Sequence, residues 1–178
     1  MSYFFDVYGP FDIDREDGEI SRAGQSMWDE VEDCEDGLAR AWGCYMFCLQ
    51  NGRNIVPWYV GKTCAAGGFR EEAFADHKLW IYNSITERRG KRHLLLFPLT
   101  TGNSNGHKPF SKNRNKTSVI EWLERTLIGM ALQRNPRLLN LRDTTLPKSV
   151  TVRGVMGTKS KGRKYEEVKY ARAAFGLD

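Results

Sequence analysis

The sequence predicts an α+β domain: a small central, mostly antiparallel three-stranded sheet flanked by helices, with an acidic N-terminal extension and a basic C-terminal one. Three observations predict it. Two β-rich runs stand close together around residues 43–61, helical periodicity follows around 69–85 and 118–134, and charge is distributed very unevenly along the 178 residues. Apolar alternation every two positions fits a strand, and recurrence every three or four fits a helix. The expected division is 1–40, 41–145 and 146–178, one compact domain with an extension on each side.

Residues 1–40 carry 12 Asp and Glu against 3 Lys and Arg, a balance of −9, whereas the remainder carries 10 against 24, a balance of +14. The run Asp29, Glu30, Glu32, Asp33, Glu35 and Asp36 has only Met27, Trp28 and Val31 as anchors. It reads as a solvated segment, or as one that folds back over the basic body. A body this basic attracts polyanions, and nucleic acid is the commonest of these in a cell. A solvated basic surface without a partner stays open on charge alone. The N-terminus lacks the basic and apolar regions of a secretory signal, and no run approaches the roughly 20 apolar residues that span a bilayer. The expectation is an intracellular, cytoplasmic protein without a membrane partner. Cys34, Cys44, Cys48 and Cys64 form no CxxC pair and no zinc spacing, so they read as reduced packing thiols.

Gly43–Leu49 and Ile55–Gly61 are the two β-rich runs, and Asn51-Gly52 lies between them. That pattern predicts a hairpin, with a loop longer than the tight two-residue kind. Both faces of each run are largely apolar, so helices should cover the sheet. A single helix is expected from about Phe69 to Ile85, with Arg70, Phe74, His77, Ile81 and Ile85 in one arc. A third strand is expected over His93–Leu99, then a polar basic loop over 100–116. Ser118-Val119-Ile120-Glu121 has the pattern of a capping box opening a helix that runs to about Arg134. A short final helix is expected over Glu166–Ala174.

Glu124 is the most informative residue. With Ile120 at 0° and about 100° per residue, Leu123, Leu127, Ala131 and Ile128 form the apolar stripe, and Glu124 falls inside it at about 40°. A carboxylate there costs several kcal/mol unless it is neutralised, paired or bound to a metal. Glu121 lies at the edge of the stripe and belongs to the cap, so Glu124 reads as functional and Glu121 as structural. The alternative for Glu124 is a buried salt bridge to an arginine. Arg70, at a helix start, can face a cleft or pair with an acid, Glu124 itself included. His77 lies two turns beyond it and fits a core position as well as a catalytic one.

These residues together resemble the GIY-YIG nucleases. Gly43-Cys44-Tyr45 and Tyr59-Val60-Gly61 are similar to the two triads that name the family, with Lys62 directly after the second. Arg70 stands at the start of the following helix. Leu123-Glu124-Arg125-Thr126-Leu127-Ile128 resembles the family's glutamate helix, and Asn135–Asn140 its closing segment. The match spans roughly 43–140. Cys44 and Val60 replace isoleucines, and His77 follows the arginine at a longer spacing than usual.

The resemblance implies hydrolysis of DNA phosphodiester bonds by in-line attack of water. Glu124 would hold one divalent ion, Mg2+ or Mn2+, and Arg70 would clamp a phosphate oxygen. Tyr45 would be the base, with Tyr59 orienting water or phosphate and His77 completing the set, although the choice of tyrosine stays open. Lys62 would favour a phenolate, because one charge at about 4 Å and an effective dielectric near 20 is worth about 4 kcal/mol, roughly three pKa units. Gly43, Gly61 and Asn140 would be structural positions of the family. Lys108, Lys112, Arg114, Lys116, Lys159, Lys161, Arg163 and Lys164 would grip the phosphates of duplex or branched DNA, with Phe110 or Tyr165 available to stack on bases. A homodimer is compatible with this reading. Two other readings stand beside it: a catalytically silent nucleic-acid-binding module, and a regulator whose acidic N-terminus mimics DNA.

Overall fold

The computed structural model describes residues 3–22, 25–101, 110–112, 115, 117–140, 152 and 166–175. In chain order the elements are β1 (Phe4–Phe5), β2 (Tyr8–Asp12), α1 (Met27–Cys34), a 3-10 turn (Leu38–Arg40), β3 (Gly43–Asn51), β4 (Asn54–Thr63), α2 (Gly68–Glu72), α3 (Asp76–Asn83), β5 (Lys91–Thr100), α4 (Thr117–Arg134) and α5 (Glu166–Ala174). The fold is α+β, a curled antiparallel sheet flanked by helices.

Among the described residues the sheet has five strands where three were expected. Its order is β1-β5-β3-β4, with β2 also paired to β5. The additional strands come from the acidic segment, which is woven into the core. Phe4 pairs with Thr100, and Tyr8, Phe11 and Asp12 pair with Leu96, Leu94 and His93. Phe11, Ile13, Ile20, Met27, Trp28 and Val31 are all buried in the main apolar cluster. Most acids of this segment are exposed between these anchors, so the charge balance conceals a short-strand pattern. Asp12 turns one oxygen to within 2.7 Å of Nδ1 of the buried His93, tying β2 to β5.

The hairpin is present, but its loop is tighter than expected. Asn51 pairs directly with Asn54, leaving Gly52 and Arg53 as the turn, and Gly52 has a φ of 58°. A left-handed first residue matches the twist of a two-residue hairpin. Gly43 has its own requirement: a Cβ there would meet the Phe97 carbonyl oxygen at 2.1 Å, so only glycine lets β5 approach this closely.

The helix expected over 69–85 is two helices. α2 ends at Glu72, and Ala75 adopts an extended conformation (φ −61°, ψ 149°) before α3 begins. Phe74, fully buried between the two, packs edge-to-face on Trp28 and Tyr82. Core packing of Phe74 coincides with the break, and the phase of the apolar arc restarts there. The fourth helix begins at Thr117, one residue early, which places Ser118 inside the first turn and removes it from the expected capping role.

Helices cover both faces. Tyr45, Phe47, Tyr59, Phe69, Phe74 and Tyr82 form the main core with the N-terminal segment, and α4 packs Ile120 against Cys44 and Ile128 against Val60 on other clusters. β4 is an edge strand, and residues 135–140 run along it. Asn135 Nδ2 donates to the Pro57 carbonyl, the Leu139 amide donates to the Trp58 carbonyl, and Asn140 bonds both backbone groups of Val60. An uncovered edge would offer unpaired groups to another chain. Here side-chain amides take the place of a neighbouring strand.

Candidate functional site

A cleft of about 600 Å³ opens beside β4, between α3 and α4. Tyr59 and Lys62 line it from β4, Glu72 from α2, His77, Lys78 and Ile81 from α3, Glu124, Arg125 and Ile128 from α4, and Asn140 from the edge segment. Four of the sequence-predicted residues, Tyr59, Lys62, His77 and Glu124, therefore come together from three elements, with Asn140 beside them.

Glu124 occupies the place its helical phase predicts. Its side chain is only 15% exposed, and Oε2 accepts from Lys62 Nζ at 2.7 Å. The partner is thus a lysine from the sheet and not an arginine. Burial alone would lower the Lys62 pKa, but the hydrogen bond and charge of Glu124, with Glu121 adding to them, raise it overall. Lys62 is a firm cation at neutral pH.

The paired tyrosines have different surroundings. Tyr45 faces Gly61 across the hairpin and is completely buried, and its hydroxyl has no hydrogen-bond partner among the described residues. Tyr59 packs against it, with ring centroids 6.3 Å apart, and reaches the cleft. Burial pushes both phenols upward, with neighbouring phenols and carboxylates adding to the effect. Lys62 is paired with Glu124, and desolvation is the largest influence on both rings. Tyr59 is the phenol placed to meet a ligand.

Arg70 lies on α2 and is exposed, outside the lining of the cleft. The break after α2 gives it a direction separate from α3, so the single arc joining Arg70 to His77 does not exist. The guanidinium in the lining is that of Arg125. His77 sits at the rim, with a 65% exposed side chain 3.8 Å from Glu72.

Lys78 and Glu72 were missed by sequence reasoning. Lys78 Nζ donates to Tyr59 Oη at 2.5 Å and lies 3.9 Å from Glu72 Oε1, with a side chain only 12% exposed. A nearly buried lysine on a helix face is the same kind of signal as Glu124. It was masked because a continuous helix put Lys78 at the margin of the arc. Of the eight cations expected to hold phosphates, only Lys112 falls among the described residues; it is exposed and donates to the Ala66 carbonyl at 3.3 Å. Lys108, Arg114, Lys116, Lys159, Lys161, Arg163, Lys164 and Tyr165 lie outside them. Phe110 packs edge-to-face on Tyr8 at 6.3 Å, half-buried.

As a holder of a divalent ion the cleft offers Glu124, with Glu72 as the second carboxylate in the lining. No group of three or more His, Cys, Asp or Glu side chains converges among the described residues. Glu124 Oε2 is at the same time the partner of Lys62, so an ion held there would share the carboxylate with that ammonium. No helix among the described residues is long and apolar enough to cross a membrane. No protein-family model, curated protein or solved structure matches the chain.

Proposed function

We propose that this chain is a metal-dependent endonuclease of the GIY-YIG type, hydrolysing DNA phosphodiester bonds in the cleft between α3 and α4. The observation that carries the reading is Glu124, a mostly buried carboxylate on an apolar helical seam, facing Lys62 and the Tyr59 phenol in one cleft. A structural salt bridge explains the pair of charges but not why a phenol, Lys78 and Arg125 share the same space.

Water attacks phosphorus, a P–O bond forms, the P–O3′ bond breaks in line, and the proton lost by water is matched by one gained at the leaving oxygen. Glu124 would hold the divalent ion, which when bound would supply positive charge to the transition state. Tyr59 takes the role of base in place of the enclosed Tyr45. Burial holds its phenol protonated at neutral pH, so a rate limited by the phenolate rises with pH. Lys62, Lys78 and Arg125 supply fixed positive charge around the phosphate, which is worth more in a partly dry cleft than in water. Arg70 lies outside the lining, and His77 stands at its rim beside Glu72. The basic body attracts the DNA backbone, so binding weakens steeply with salt.

The test is plasmid nicking by purified protein with and without Mg2+, alongside Glu124→Ala. Magnesium-dependent nicking by the parent, lost in the variant while DNA still shifts in a gel, is the expected outcome. Binding without nicking by the parent would favour the silent binding module.

A further inference from the structure

Lys78 carries an inference beyond this assignment of roles. Its ammonium reaches Tyr59 Oη at 2.5 Å, sits 4.8 Å from the centre of the same ring, and has Glu72 Oε1 3.9 Å away. An ammonium has three donors and no acceptor, so the Tyr59 oxygen must accept in this bond. The position on that oxygen where a proton is held or taken up then points away from Lys78. Tyr45 and Tyr82 close in on the ring, with centroids 6.3 and 5.9 Å away. The direction left is the cleft, whose lining Tyr59 shares with Lys62 on β4, Glu124 and Arg125 on α4 and Glu72 on α2.

We propose that Lys78 is the positioning residue of the cleft, fixing Tyr59 Oη so that its remaining proton site, filled in the phenol and vacant in the phenolate that acts as base, is turned toward a phosphate-bearing ligand held between α3 and α4. The choice of phosphate rests on the nuclease reading, whereas the orientation of the phenol rests on the geometry alone. Glu72 has a part in this arrangement: Lys78 and His77 both approach its Oε1, so it steadies the ammonium on the wall of the cleft.

The experiment uses the full chain labelled with [13Cζ]tyrosine, with Tyr59→Phe to assign the Tyr59 signal. Inorganic phosphate, and separately a short DNA duplex in EDTA, is titrated into the parent, Lys78→Met and Lys78→Arg. The Tyr59 resonance should move in the parent, respond severalfold more weakly in Lys78→Met, and recover in Lys78→Arg. An unchanged response in Lys78→Met, or no response in the parent, overturns the proposal. If Lys78→Met does not fold, Glu72→Gln takes its place and should weaken the response; a full response in that variant counts against the proposal. Plasmid nicking on the same samples separates the two ideas, because a parent that responds to phosphate but never nicks DNA removes the nuclease and keeps Lys78 in its role.

Discussion

Tyr45 and Gly61 face each other across the β3–β4 pairing, and a Cβ on residue 61 would lie 2.5 Å from both Cζ and Oη of the tyrosine. The two triads of the sequence are thus halves of one contact: the phenol of the first needs the glycine of the second. Tyr45 in turn packs against Tyr59, which lines the cleft.

Gly61→Ala should therefore destabilise the fold by about 1–3 kcal/mol, the usual range for overpacking a close-packed core. The Tyr45 ring is fully buried and cannot swing aside into solvent. Urea unfolding followed by fluorescence measures the loss, and a variant as stable as the parent would show that the ring has room to move.

How much of this was legible in the sequence depended on whether local pattern and tertiary packing agreed. The β3–β4 hairpin, β5, α4 and α5 were readable because apolar period and turn residues marked them without competition. Glu124 was readable for the same reason, as a polar group in phase with a buried stripe. The break between α2 and α3 was not, because Glu72 to Asp76 contains neither proline nor glycine and the chain turns where Phe74 enters the core. With the break went the position of Arg70 and the significance of Lys78. The N-terminal strands were hidden by their brevity and their acids; β1 has two residues and β2 five. The enclosure of Tyr45 depends on neighbours distant in sequence, which no local pattern reports.

Asn140→Ala leaves the backbone N–H and C=O of Val60 without their partners, at 2.9 and 2.7 Å in the parent. Val60 is fully buried. Each buried group so orphaned costs about 1–3 kcal/mol. Denaturant midpoints should drop accordingly. The opened β4 edge should also raise self-association, read by light scattering as concentration increases. A monomeric variant of parental stability would mean that water replaces the amide without penalty.

Lys62 and Glu124 should couple weakly in stability and strongly in metal response. Their side chains are 35% and 15% exposed, so a double-mutant cycle with Lys62→Met and Glu124→Gln should return only about 1 kcal/mol after allowance for screening. Magnesium at about 100 times its dissociation constant should stabilise the parent by about 2.7 kcal/mol, raising Tm, and Glu124→Gln should remove that rise. The same rise in Glu124→Gln would place the ion elsewhere.

Alkaline pH should find the buried thiols and phenols. Burial raises the Cys48 pKa from 9.0 to about 12, and burial likewise raises Cys44, Tyr45, Tyr59 and Tyr82. Above its ordinary pKa each group ionises in the unfolded chain while staying protonated in the folded one. The unfolded state then binds fewer protons, and stability falls as pH rises. For Cys48 the contribution is complete below pH 9.0 and is lost between there and about 12, at up to about 1.4 kcal/mol per pH unit. Cys48→Ala should lower stability by a constant amount at neutral pH and flatten the alkaline slope by as much as one proton. Urea midpoints collected from about pH 7 to pH 11 measure both, and an unchanged slope would mean that solvent already reaches the Cys48 thiol in the folded protein.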